Sequence, residues 1–162
     1  MKTLVAVLAL LPAVAAAEPR VEVKFGDLDK FTDLRVSITT TRRDREGLAA
    51  ELRSHIEREA PHYLPPATRL DVTITDVDMA GEYGPITGPV SRDLRVVRDV
   101  YPPCVDLDFR LLRADGSVER SGRRELRDSG FLLGSSPHTD QLLRHEKGLL
   151  DGWLQKEFKP AR

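Results

Sequence analysis

The stretch Val105-Asp106-Leu107-Asp108-Phe109-Arg110-Leu111 decides the fold. Apolar and charged residues alternate through it, which is the period of a strand with one face on a core and the other in water. Ala114-Asp115-Gly116-Ser117 then reads as a hairpin turn, so the run to Leu126 pairs back antiparallel. Upstream, Leu70, Val72 and Ile74 alternate with Asp71, Thr73 and Thr75 and give another strand. At Asp76 the alternation slips, Val77 and Met79 become the apolar set, and a bulge is predicted there. Val21, Val23 and Phe25 between Glu22 and Lys24 make a first strand.

Helical spacing appears twice between and after these strands. Leu48, Leu52 and Ile56 recur behind an N-cap at Thr41 and stop at Pro61, which predicts a helix over about Arg42 to Ala60. A second helix over Asp140 to Phe158 gathers Leu142, Leu143, Leu149, Leu150, Trp153 and Leu154 on one apolar arc. Residues 26–41 read as a loop, as does the segment carrying Gly81, Gly84, Pro85, Gly88 and Pro89, and Leu94 to Val100 reads as a short edge strand. A sheet with one apolar face and two helices with one apolar stripe each satisfy one another in a two-layer α+β sandwich. The sheet is mainly antiparallel, with about four or five strands, and both helices lie on one face.

Composition limits the partners. The chain has 162 residues, with 25 Lys and Arg against 26 Asp and Glu, so no global field draws it to nucleic acid or to anionic lipid. The Arg-rich stretches, Arg42 to Arg45 and Arg120 to Arg127, are interrupted by acids and carry no aromatic stacking series. At the N-terminus, Lys2 precedes an apolar run from Leu4 to Val14 and then Ala15-Ala16-Ala17, the form of a leader cut by signal peptidase. The expected cut follows Ala17, leaving residues 18–162 as one α+β domain in the periplasm or the medium. No later apolar run reaches the length of a membrane span. The single cysteine, Cys104, lies far from the cut, closes no internal disulfide and is expected to be buried at the start of its strand.

Several polar positions need a reason. A helical wheel places Glu146 inside the apolar arc of the second helix and Arg45 between Leu52 and Ile56 on the first, so an Arg45 to Glu146 ion pair between the helices is expected. Asp76 and Asp78 share a strand face and Glu82 follows; with Asp128 these carboxylates are the candidates for an acid and base acting on a glycan, and the first three for a hard divalent cation. The histidines, His55, His62, His138 and His145, lack ligand spacing and are expected on the surface or rim, so neither a metal nor another cofactor is expected. Ser129, Ser135 and Ser136 lack a nucleophile elbow, and phosphate-cradling glycine motifs are absent.

Six segments occur together in a familiar order. They are Val21 to Phe25, Arg43 to Glu46, Asp76 to Glu82, Arg98 to Pro103, Asp115-Gly116 with Glu125 to Asp128, and His145 to Lys147 leading to Asp151 and Leu154. On these the chain resembles the exported bacterial, mostly proteobacterial, family catalogued as domain of unknown function 3016. In that pattern an aromatic residue commonly precedes the Glu-Lys pair, where His145 stands here. The resemblance implies a periplasmic location and transfers no activity or catalytic residue. The expected function is a non-catalytic binding or envelope-assembly module whose partner is an envelope protein or glycan, with the loop from Glu82 to Cys104 as a recognition surface. The alternatives are a carboxylate-dependent envelope hydrolase and a divalent-cation-binding protein.

Overall fold

A computed structural model describes residues 17–83, 95–133, 138 and 142–159. The leader expected over residues 1–17, apart from Ala17, and residues 84–94 of the Gly/Pro-containing loop lie outside the described residues. Four strands form the main sheet: β1 (Arg20–Phe25), β2 (Arg69–Asp78), β5 (Cys104–Leu112) and β6 (Val118–Arg127), in that spatial order. The pair β1 and β2 is parallel and the other two pairs are antiparallel. Among the described residues, the short strands β3 (Glu82–Tyr83) and β4 (Arg95–Val96) pair with each other and not with the main sheet, so the segment read as an edge strand forms a separate small ribbon instead.

The alternating stretch behaves as its pattern requires. Val105, Leu107, Phe109 and Leu111 of β5 are buried, as are Leu70, Val72, Ile74 and Val77 of β2. The bulge holds β2 to that face: Ile74 faces Leu107 and Asp76 faces Asp106, so Thr75 is the extra residue and Val77 returns to the core opposite Val105. At the β5–β6 turn, Gly116 has φ +82°, which a glycine adopts without a Cβ penalty, and Asp115 Oδ1 accepts from the Ser117 amide at 2.8 Å.

Helix α1 (Arg42–Glu59) starts with a reciprocal capping box: Thr41 Oγ1 accepts from the Asp44 amide and Asp44 Oδ2 from the Thr41 amide. Its buried stripe is Leu48, Ala49, Leu52, His55 and Ile56. Helix α2 (Arg144–Phe158) starts later than its apolar pattern suggests. Leu143 caps it in the left-handed conformation, and Leu142 is 53% exposed rather than on the arc. Against the sheet, Phe109 meets Trp153 and Phe158 edge-on at 5.8 and 5.6 Å, and those two rings meet at 5.6 Å. Cys104 is half-buried and its thiol donates to the Pro102 carbonyl, so it is not the fully buried residue expected.

The buried β5 side chains carry the fold. Leu107→Ala, at a position with no exposure, is expected to lower the unfolding free energy by about 2–5 kcal/mol. Val118→Ala on the exposed edge strand should stay within about 0.5 kcal/mol of the parent in urea melts monitored by circular dichroism.

Candidate functional site

The carboxylates singled out from the sequence divide into separate networks. Asp76 Oδ1 accepts from the Thr32 and Val77 amides at 2.7 and 2.9 Å, and Asp76 Oδ2 accepts from the Thr32 hydroxyl at 2.6 Å. This carboxylate therefore ties the segment after β1 to the bulge. Asp78 lies beside Asp76, and its pKa is raised by burial and then by the charges of Asp33 and Asp76. Glu82, in the small ribbon, accepts from the Tyr101 hydroxyl and pairs loosely with Arg98 at 3.9 Å. Asp128 follows β6 and accepts from the Gly130 amide at 2.9 Å.

The expected Arg45 to Glu146 pair does not form. Arg45 reaches Asp29 at 3.0 Å, at the short 3-10 turn after β1. Glu146, only 2% exposed, instead accepts from the Ala80 amide at 2.8 Å. The wheel correctly put Glu146 on the buried face, but the segment docked against it is the chain just past β2, whose Ala80 amide takes the carboxylate, while Arg95 and Arg144 act on it through charge alone. Burial raises the Glu146 pKa and that amide bond partly opposes the rise.

The group of side chains that does converge was not expected. His55 Nε2 lies 2.7 Å from Asp151 Oδ1, and His138 Nε2 lies 2.8 Å from Asp151 Oδ2. The two imidazoles meet edge-on at 5.1 Å between ring centres. All three ligand atoms lie within 4.8 Å of one another. Helix α1 supplies His55 from its buried stripe, α2 supplies Asp151, and the segment before α2 supplies His138.

His55 is 1% exposed and His138 9%, so both contradict the surface or rim positions expected of them, while the Asp151 side chain keeps 27% exposure and faces the outside. Burial alone would raise the Asp151 pKa, but the His55 and His138 hydrogen bonds more than offset it and hold the carboxyl below its usual range. An ionised carboxylate only accepts, so each imidazole presents Nε2–H to it. Two imidazole nitrogens and one carboxylate oxygen are a donor set suited to zinc and its first-row neighbours. His62 is exposed, whereas His145 is half-buried and meets Phe131 edge-on at 4.7 Å between ring centres.

One signal for this group was present in the sequence. His55 follows Leu48 by seven residues and Leu52 by three, which places it on the apolar stripe rather than the rim. Asp151 and His138 carry no comparable sign, because their meeting is set by how α2 docks and how the preceding segment returns.

Glu146 supplies a pH test. A raised carboxyl pKa in the fold means that its stabilising contribution is complete below the unfolded pKa and is lost as pH rises through the folded one. Glu146→Gln keeps an oxygen for the Ala80 amide and removes the buried charge. Urea melts should show the variant more stable than the parent at pH 8, with the difference closing as pH falls to the ordinary carboxylate range.

No curated protein and no solved structure matches the chain. The model of one family, described as "Protein of unknown function (DUF3016)", matches residues 19–156, and the chain belongs to that family.

Proposed function

We propose that the protein is an exported, non-catalytic binding module of the cell envelope, and that its ligand is a divalent transition-metal ion held by His55, His138 and Asp151. The observation that carries this is the meeting of two imidazole Nε2 atoms and a carboxylate, contributed by three separate segments, within 4.8 Å. With ligand bonds of about 2.0–2.2 Å, the two imidazoles would draw back from the 2.7 and 2.8 Å contacts with Asp151 to admit an ion. A hard cation prefers six or more oxygens, so calcium and magnesium suit it poorly.

Export is supported by the leader pattern and by a family match that starts at residue 19, just past the expected cut. The non-catalytic reading is supported by Asp76, whose oxygens are engaged by Thr32 and Val77, and by the separate bonds of Glu82 and Asp128. A hydrolase would need those groups aimed together at a substrate.

Two measurements test the two halves. Expressed with its leader in a bacterium with two membranes, the chain should be released by osmotic shock and begin at Glu18 on N-terminal sequencing; retention in the cytoplasm with Met1 intact overturns the export reading. For the ligand, the chelator-stripped chain should bind one zinc by calorimetry and gain thermal stability, with calcium and magnesium giving neither. His138→Ala and Asp151→Ala should weaken zinc at least tenfold, and His62→Ala, at an exposed histidine, should leave it unchanged. Equal zinc binding by all of these variants would place the metal elsewhere.

A further inference from the structure

Arg58 stands on α1 one turn beyond His55, and its Nη2 lies 3.0 Å from His55 Nδ1. A guanidinium has donors only, so His55 Nδ1 is the acceptor and keeps its lone pair. The ring proton therefore sits on Nε2, where it is donated to Asp151 Oδ1 at 2.7 Å. In this arrangement the nitrogen facing the candidate centre carries a hydrogen and offers a metal nothing.

Coordination at Nε2 places the remaining ring proton of a neutral imidazole on Nδ1. That N–H would then point at the Arg58 donor, and two donors cannot share one hydrogen bond. Metal-bound histidines ordinarily give this second N–H to a carboxylate, a carbonyl or water, which orients the ring and strengthens the ligand. Here the position is taken by a group of the opposite kind, and its positive charge also opposes a cation nearby.

We infer that Arg58 is a gate on the centre: it holds His55 in the tautomer that cannot ligate, and loading requires it to swing away. The inference rests on reading His55, His138 and Asp151 as a metal site. The swing is accessible, because the Arg58 side chain is 58% exposed and its other bond, from Nε to Glu59 Oε1 at 2.8 Å, is with a neighbour on the same helix. Arg58 is thus a positioning residue. It touches a ligand side chain, not the metal, and sets the tautomer from which loading starts.

Zinc titration of the stripped chain and of Arg58→Met and Arg58→Glu tests the gate. Removing the donor should tighten zinc roughly tenfold, the scale of one charge-assisted hydrogen bond discounted for exposure. Arg58→Glu should bind tighter still, since its carboxylate accepts from Nδ1–H. The gain should persist at high salt, which screens a charge effect but leaves a tautomer effect. Long-range proton–nitrogen spectra should show His55 as Nε2–H in the empty parent and as Nδ1–H when zinc is bound.

Parent and variants binding zinc equally, a gain that disappears at high salt, or an empty parent with His55 already as Nδ1–H would each overturn the gate and leave the metal site standing. No zinc binding by any of the three chains would overturn the metal site and the gate with it.

Discussion

One-sided burial of the β2–β5 pair is the constraint on which the remaining structure depends. Side chains alternate with a period of two, so a slip of one residue between these strands would turn Leu70, Val72 and Ile74 to water and bring Asp71 and Thr73 against the helices. The bulge at Thr75 prevents the same inversion at the far end of β2. Without it Asp76 would enter the core in place of Val77. The Asp76 carboxylate then accepts from Thr32, and Asp33 pairs with Asp78 across a parallel bridge, so the segment leading to α1 is fixed by the residue that the bulge turns outward.

The sandwich also contains polar groups at depth, and where β2 ends backbone donors and acceptors explain them. Arg95, with 13% of its side chain exposed, pairs with Asp33 and donates to the carbonyls of Arg35, Met79, Ala80 and Gly81. Its guanidinium lies 4.6 Å from the Tyr83 ring centre. The next group along is Glu146, on the Ala80 amide. Where β2 leaves the sheet its backbone loses ladder partners, and a buried amide without a bond costs more than the net value of the bond itself. Glu146 and Arg95 supply those partners from α2 and β4, which is why a carboxylate sits on an otherwise apolar helix face. Among the described residues, the Arg95 Nε atom and the Trp153 indole nitrogen are buried without a hydrogen bond.

Strands, helices and the bulge were legible because each is written in a local period, and the α+β class follows from the periods together. The Arg45 to Glu146 pairing failed for a different kind of reason. A wheel tells which face a residue occupies, but not which element will meet it, and Glu146 met a backbone amide. The small ribbon of β3 and β4 was missed because two-residue strands are too short to show alternation. Of the metal-type group, only His55 lay on a readable stripe. The contact with His138 joins positions 83 residues apart, and that with Asp151 joins positions 96 apart, separations at which sequence pattern carries no information about proximity.

The His55–Asp151–His138 group is satisfied by its own hydrogen bonds, and that separates it from a structural zinc site. In a small domain that needs metal to fold, the ligands have no other partners, and the free energy of binding becomes the free energy of folding. Here the core around Phe109, Trp153 and Phe158 is built from apolar side chains, none of them a member of the group. The carboxylate already joins α1, α2 and the segment before α2 through two imidazoles. A ligand entering such a centre replaces existing bonds rather than creating the fold. The affinity of the proposed centre for an ion would therefore be reduced by the hydrogen bonds that the ion displaces.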